Sequence, residues 1–223
     1  MSSYQWDWSI LFAPATLQAL GDGIRTTLVL SLISLAIGTT LGFTIAAART
    51  ARIPVLDQIL YIYVELFRTT PALVQLIWIF YVLPLLLGIH LSPDVAGVVT
   101  LSLNCAAFLS EVFRGGLASI DRGQHDASFV LGLSTIQKYT AVLIPQTVRR
   151  VLPSVANQFV SLLKESSLLS VIAVSELTYL FQVQVAQTYR PLELYTGLAI
   201  AYFCVTYPLI LVVRYVERRF PIL

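Results

Sequence analysis

Charge is what this chain has least of. Of its 223 residues only 12% are Asp, Glu, Lys or Arg, against 57% hydrophobic. Soluble domains carry about 25% charged residues, because a surface wetted on all sides needs them. A net charge of +2 supplies no basic face, so a nucleic-acid partner is excluded. The mean hydropathy of +0.79 likewise excludes disorder. Cysteine and histidine are scarce, with two of each. Cys105 and Cys204 lie in apolar runs, where a thiol behaves as a small hydrophobe. No set of three metal ligands at workable spacing forms around His90 and His125. The first 24 residues lack Lys and Arg, which gives no case for a cleaved signal peptide. A Gly-x-x-x-x-Gly-Lys phosphate loop, a His-Glu-x-x-His pair and a Gly-x-Ser-x-Gly elbow are also missing. The chain is therefore read as a non-enzyme without a cofactor or metal of its own.

What is present is long apolar runs, and they predict an all-α integral membrane protein. A helix needs about 20 apolar residues to cross the hydrocarbon layer. Five candidate spans meet that need: Thr26–Ala48, Ile59–Leu87, Val95–Ser110, Val151–Ala173 and Leu194–Val213. Ten of the fourteen basic residues fall on one side: Arg49, Arg52, Arg114, Arg122, Lys138, Arg149, Arg150, Arg214, Arg218 and Arg219. Only Arg25 and Arg190 fall on the other. The positive-inside rule then places the N-terminus outside and the C-terminus in the cytoplasm. Trp6-Asp7-Trp8 reads as an interfacial anchor, since indole rings favour the headgroup layer. The whole chain, 1–223, is read as one transmembrane domain with a cytoplasmic loop at about 119–152. That loop is too short to bury a core, since chains under about 40 residues seldom fold alone. The outer connections, Gly88–Pro93 and Leu180–Leu192, are shorter still.

Ionisable residues at membrane depth point to function by default. Glu65 and Arg68 are three apart, as are Glu111 and Arg114, so each pair shares a helix face. They are read as ion pairs fixing the bundle rather than as solute ligands. Lys164, Glu165 and Ser166 fall mid-span and are read as breaking the helix beside a polar pathway. Ser34, Gly38, Gly42 and Ala46 place a small residue at every fourth position of the first span. Such a stripe permits close helix packing, more readily within the unit than at a dimer seam.

The loop reads GQHDASFVLGLSTIQKYTAVLIP from Gly123 to Pro145. Asp126 opens a short apolar run that Gly132 interrupts. Ser134 is a candidate N-cap for a second short helix, and Pro145 is expected to end it. Spacing alone leaves open a knob for a partner's groove or a helix lying on the inner membrane surface. The run resembles the EAA loop of ABC-importer permeases: Asp126-Ala127-Ser128 stand for Glu-Ala-Ala, Gly132 for the following glycine, and Val142-Leu143-Ile144-Pro145 for the closing Ile-x-Leu-Pro. YVELFRTTPALVQL from Tyr63, SEVFRGGL from Ser110 and LLKESSLLSVIAVSEL from Leu162 resemble the polar amino acid subfamily, whose members serve histidine, glutamine or arginine uptake.

That resemblance implies a type I importer permease fold in the bacterial inner membrane. Besides the membrane lipids that any such bundle contacts, it implies four partners: a cytoplasmic ABC ATPase dimer that binds ATP and Mg, a second permease copy or paralogue, an extracytoplasmic solute-binding protein, and a small polar solute. Gly123, Asp126, Ala127 and Gly132, with Ile144 and Pro145 closing the segment, would form the ATPase-coupling contact. Asn157 and Gln158 would stand at the solute position, where relatives carrying cationic amino acids tend to have Glu second; the neutral Gln158 argues against arginine, lysine or histidine. The function expected is alternating-access import of a polar amino acid or similar solute. An ion-coupled secondary transporter is the alternative, and it would need inverted repeats and a coupling carboxylate such as Glu165.

Overall fold

The computed structural model describes residues 4–50 and 53–219, and among them there is no strand. Ten α-helices follow one another: α1 (Pro14–Thr50), α2 (Pro54–Thr69), α3 (Ala72–Ile77), α4 (Leu83–Leu87), α5 (Pro93–Ala118), α6 (Arg122–Val130), α7 (Thr135–Gln137), α8 (Ile144–Glu165), α9 (Leu177–Thr188) and α10 (Pro191–Arg219). α1, α5 and α10 are long and apolar enough to cross a membrane unaided. Two bent pairs, Pro54–Thr69 with Ala72–Leu87 and Thr135–Ile172 with Leu177–Thr188, bring the number of crossings to as many as five. Arg52, counted above among the basic residues of the loop side, lies outside the described residues.

α1 and α5 form the centre, and the small-residue stripe explains why. Gly38 sits so close to α5 that a Cβ there would lie 2.6 Å from the Cys105 sulfur, and at Gly42 it would lie 2.9 Å from the Ala106 carbonyl oxygen. Between hydrocarbon tails, helices gain little from apolar burial and associate through close packing, so small residues mark the tightest seam. The stripe is packed inside the subunit. Leu101, Leu109, Leu162 and Leu169 fill the core around that seam. A smaller cluster at the opposite end joins α9 and α10 through Leu177, Phe181 and Leu194.

Two expectations about the elements need correction, and a third element proves sharply bent. The second candidate span, Ile59–Leu87, contains Glu65, Arg68 and Pro71, and it turns by 111° between Pro54–Thr69 and Ala72–Leu87. Pro71 lacks an amide donor and holds Thr70 extended, at ψ 144, so the helix stops and restarts in a new direction. The connection expected at Leu180–Leu192 is helical as far as Thr188, because Glu176 caps α9 and its apolar side chains pack on α1. Pro145 does not end the helix begun at Thr135. A π-helical turn, Lys138–Leu143, precedes it, and Pro145 then falls in the first turn of α8, where an absent N–H leaves no gap. The second loop helix and the fourth span are therefore one continuous rod.

Candidate functional site

α6 is built as a raised, rigid turn. Asp121 caps its start, accepting from the Gly123 amide at 2.6 Å. Its end closes by two bonds: the Gly132 amide donates to the Phe129 carbonyl at 2.9 Å, and the Leu133 amide to the Ser128 carbonyl at 3.1 Å. This paired closure needs a left-handed residue after the helix, and Gly132 has φ +68. A side chain at Gly132 would meet nothing within 4 Å, so conformation rather than room demands glycine. Ser134 then starts the next helix with a reciprocal cap, its hydroxyl accepting from the Gln137 amide while the Gln137 side chain accepts from the Ser134 amide. The serine replacing the second alanine of the Glu-Ala-Ala pattern is buried, and Ser128 Oγ donates to the Gln124 carbonyl at 2.6 Å.

The base of this turn is fastened. Gln146 donates to Gln124 Oε1 at 3.1 Å, and Arg150 donates to the Ser119 hydroxyl at 3.0 Å and also to its carbonyl. The crest is not. Phe129, Val130, Leu131 and Ile136 are 84, 83, 74 and 76% exposed, beside exposed Gly123, Asp126 and Ala127. Four large apolar side chains held out on a fixed turn form a surface suited to a hydrophobic groove. Ile144 is half-buried and faces a cavity at the foot of the turn, while Pro145 is exposed on the rod.

The Glu111–Arg114 pair belongs to a larger cluster at the same end of the bundle. Arg114 engages Glu111 with two nitrogens, Nε at 3.0 Å and Nη2 at 2.6 Å from Oε2. Arg49 joins from the end of α1, with Nη1 2.5 Å from Glu111 Oε1 and Nε 3.1 Å from Asp57 Oδ1. One carboxylate thus ties α1 to α5, and Asp57 adds α2. Glu65 and Arg68 are more loosely paired at 3.7 Å, both partly exposed, with Arg68 over the Phe108 ring. Isolated pairs of that exposure contribute little.

The residues expected along a solute pathway fall on two faces of α8. Asn157 and Lys164, seven apart, share an exposed face, whereas Gln158 and Glu165 share a half-buried one. Asn157 donates to Glu217 of α10 at 2.9 Å. After Glu165 the α-helix tightens into a 3-10 segment, Ser166–Ile172, and Ala173 then takes a left-handed conformation at φ 59. Ser166 is buried with its hydroxyl on the Leu163 carbonyl at 2.9 Å, so it is satisfied within its own helix. Glu165 Oε2 is buried without a hydrogen-bond partner among the described residues. The five residues lie on one rod but do not converge on a single point.

Three polar residues that the sequence reading passed over hold the breaks open. Breaking a helix inside a membrane frees carbonyls that water cannot reach, so protein groups must satisfy them. Gln75 Nε2 donates to the Phe67 carbonyl at 2.9 Å and to the Thr70 carbonyl at 3.0 Å. Asn104 of α5 donates to the same Phe67 carbonyl at 3.2 Å and to Gln75 Oε1 at 3.1 Å. Glu176, fully buried, accepts from the Thr178 and Tyr179 amides at 2.9 and 2.7 Å and from the Tyr202 hydroxyl at 3.0 Å. An amide in the middle of an apolar run was the available signal for Asn104.

Known proteins resemble this chain in sequence and fold over nearly its whole length. Residues 38–221 match the family model of the binding-protein-dependent transport system inner membrane component. The chain is 34% identical to the glutamine transport system permease protein GlnP of Escherichia coli over 220 residues, 98% of this chain and 100% of that one. It is 37% identical to the probable glutamine ABC transporter permease protein GlnP of Bacillus subtilis over 203 residues, 90% of this chain and 93% of the relative. Among solved structures it is similar to the crystal structure of an amino acid ABC transporter with histidines, at a TM-score of 0.90 and 30% identity, covering 97% of this chain and 100% of that one. An inward-facing MetNI methionine ABC transporter shares the fold at a TM-score of 0.71 and 20% identity, covering 92% of this chain and 99% of that one.

Proposed function

The chain belongs to the family of binding-protein-dependent transport system inner membrane components, and from that premise we propose that it imports a neutral polar amino acid as one transmembrane half of an ATP-driven importer. The E. coli and B. subtilis relatives are permeases for glutamine, and the half-buried Gln158 brings no charge to select a cation. In this reading the loop end of the bundle faces the cytoplasm and the N-terminal end faces outward. The basic residues counted on the loop side support that orientation.

A single observation carries the mechanism: the apolar crest of α6 stands exposed on a turn whose base is bonded to α5 and α8. α6 docks by that crest into a groove of a cytoplasmic ATPase, with Gly123, Asp126, Ala127 and Gly132 at the contact. ATP-driven closure of two ATPases draws two such turns together. Because Thr135–Ile172 is one rod, the displacement reaches Lys164 and Glu165 without loss in a flexible joint. The Arg49–Glu111–Arg114 cluster keeps α1 and α5 moving as one body. A second permease copy and an extracytoplasmic binding protein complete the assembly, and ATP and Mg are held by the ATPase alone.

The experiment is uptake of labelled glutamine into proteoliposomes carrying the permease, its ATPase and its binding protein. Uptake is expected to require ATP and to survive ionophores that collapse ion gradients. Replacing Phe129 and Leu131 with Ser is expected to release the ATPase from the purified complex while the permease remains monodisperse. Uptake driven by an ion gradient without ATP would overturn the reading in favour of a secondary transporter.

A further inference from the structure

Two cavities meet at the loop end of the bundle, and import as described above uses neither. One, of about 460 Å³, is apolar, with Phe43, Ala46, Ala47, Phe113 and Ile144 in its wall. The other, of about 630 Å³, is lined by Arg49, Arg114, Arg122, His125 and Asp57. Thr50, Arg114, Leu117 and Tyr139 line both, so the two lie side by side, one apolar and one cationic, within reach of a single amphipathic ligand. α1 and α5, each long enough to span, both end at their rim, at Thr50 and Ala118. The uncharged runs of α1 and α5 stop at Ala48 and Ser110, and Arg49, Glu111 and Arg114 follow at once. With α1 and α5 read as spans, the two cavities therefore fall at the headgroup edge of the bilayer, whichever leaflet that is.

We propose that the two adjoining cavities together hold one anionic phospholipid, with its phosphodiester among Arg49, Arg114 and Arg122 and an acyl chain against Phe43 and Phe113. The charge count favours an anion. Arg49 and Arg114 share Glu111, and Arg49 also meets Asp57, so three guanidiniums face two carboxylates. Arg122 makes no ion pair among the described residues and is exposed at the start of α6. Basic pockets between membrane helices are the expected recognition element for phosphate headgroups. The apolar half distinguishes a lipid from a free anion, which has nothing to place beside two phenyl rings. A bound lipid would join the foot of α6 to the ends of α1 and α5, and so brace the turn from below. The proposal itself requires only a membrane boundary at this end; its test takes the ATPase partner from the import reading.

The test is binding of phosphatidylglycerol and phosphatidylcholine carrying a fluorescent tail to the purified permease–ATPase complex in neutral detergent. Phosphatidylglycerol is expected to bind at least tenfold more tightly than phosphatidylcholine. Arg122→Gln is expected to weaken it about fivefold, as one lost cation near a headgroup does, and Arg122→Lys to restore it. Ala47→Trp fills the apolar half from an exposed position and is expected to displace both lipids, with the complex still monodisperse on gel filtration. Millimolar inorganic phosphate is expected not to compete. Equal binding of the two lipids would overturn the proposal, as would loss in Arg122→Gln without rescue by Lys. Competition by phosphate together with an indifferent Ala47→Trp would replace it with a free-anion site.

Discussion

Two glycines of this chain look alike in sequence and do opposite things. Gly42, in the α1–α5 seam, has an ordinary helical backbone and no room: an added Cβ would lie 2.9 Å from the Ala106 carbonyl oxygen. Gly132, at the end of α6, has room on every side and a backbone at φ +68 that side chains resist. The seam is a place where atoms are crowded and conformation is free. The loop is a place where conformation is fixed and the surface is left uncovered. The proposed mechanism uses both, since in it the bundle moves as rigid bodies and the turn keeps its shape for the ATPase that docks on it.

The seam should fail first and hardest. Gly42→Leu pushes a branched side chain against backbone, which cannot rotate away as a side chain end can. Overpacking of this kind costs about 1–3 kcal/mol and sometimes more, and here the whole centre of the bundle depends on the contact. The expected outcome is loss of monodisperse protein after detergent extraction. Gly21→Leu, on the same helix with nothing within 4 Å, is the matched control and should extract normally. Equal behaviour of the two variants would remove the seam's claim to be space-limited.

A smaller effect is expected at the broken second span. Asn104→Leu removes a donor from the Phe67 carbonyl and a partner from Gln75, leaving polar atoms buried at membrane depth. Interhelical bonds of this type contribute about 1–2 kcal/mol. Gln75→Leu should cost a similar amount. The double variant should cost less than the sum, because the two residues share one carbonyl and bond each other. Unfolding by denaturant in micelles, followed by tryptophan fluorescence, measures all three. Additive losses would show that Gln75 and Asn104 act separately.

The sequence was most legible where periodicity was strong and least legible where polarity was local. The uncharged runs located α1, α5 and α10, because a hydrocarbon slab imposes length directly. The stripe Ser34, Gly38, Gly42 and Ala46 pointed to a close seam, although its partner on α5 is visible only in three dimensions. The Ser134 cap and the Gly132 stop could be read from their neighbours, since both are local backbone devices. Pro145 misled because proline is tolerated in a first turn, and a π-helical turn upstream moved that turn into what looked like a helix end. Pro71 sat in a run that read as one span, and the 111° bend it permits depends on Asn104, which is distant in sequence. Arg49 was counted for its charge, and its bond to Glu111 needed α1 and α5 side by side. The residues read as a pathway were the least legible, because Asn157 and Lys164 lie on one face of the rod and Gln158 and Glu165 on another, a division that spacing alone does not rank as polar lining or packing.

The most local effect is expected at Gly132, where the cost falls on the end of α6 and not on the bundle, and it sharpens the comparison most. Placing an ordinary L residue in a left-handed conformation costs about 1–2 kcal/mol, whereas Asn adopts that conformation more readily. Gly132→Val should therefore leave the bundle folded, since nothing packs against the site, and should open only the end of α6. The amides of residue 132 and Leu133, bonded to the Phe129 and Ser128 carbonyls, would then exchange faster with solvent while those of α5 stay protected. Gly132→Asn should restore slow exchange. If the turn is the handle gripped by the ATPase, transport should follow exchange rather than expression: low in Gly132→Val, and recovered in Gly132→Asn. Loss of extraction yield in the valine variant would place Gly132 in the same class as Gly42 and erase the distinction between crowding and conformation. Unchanged transport with a frayed α6 would mean that the partner grips the exposed apolar side chains whatever shape the backbone beneath them takes.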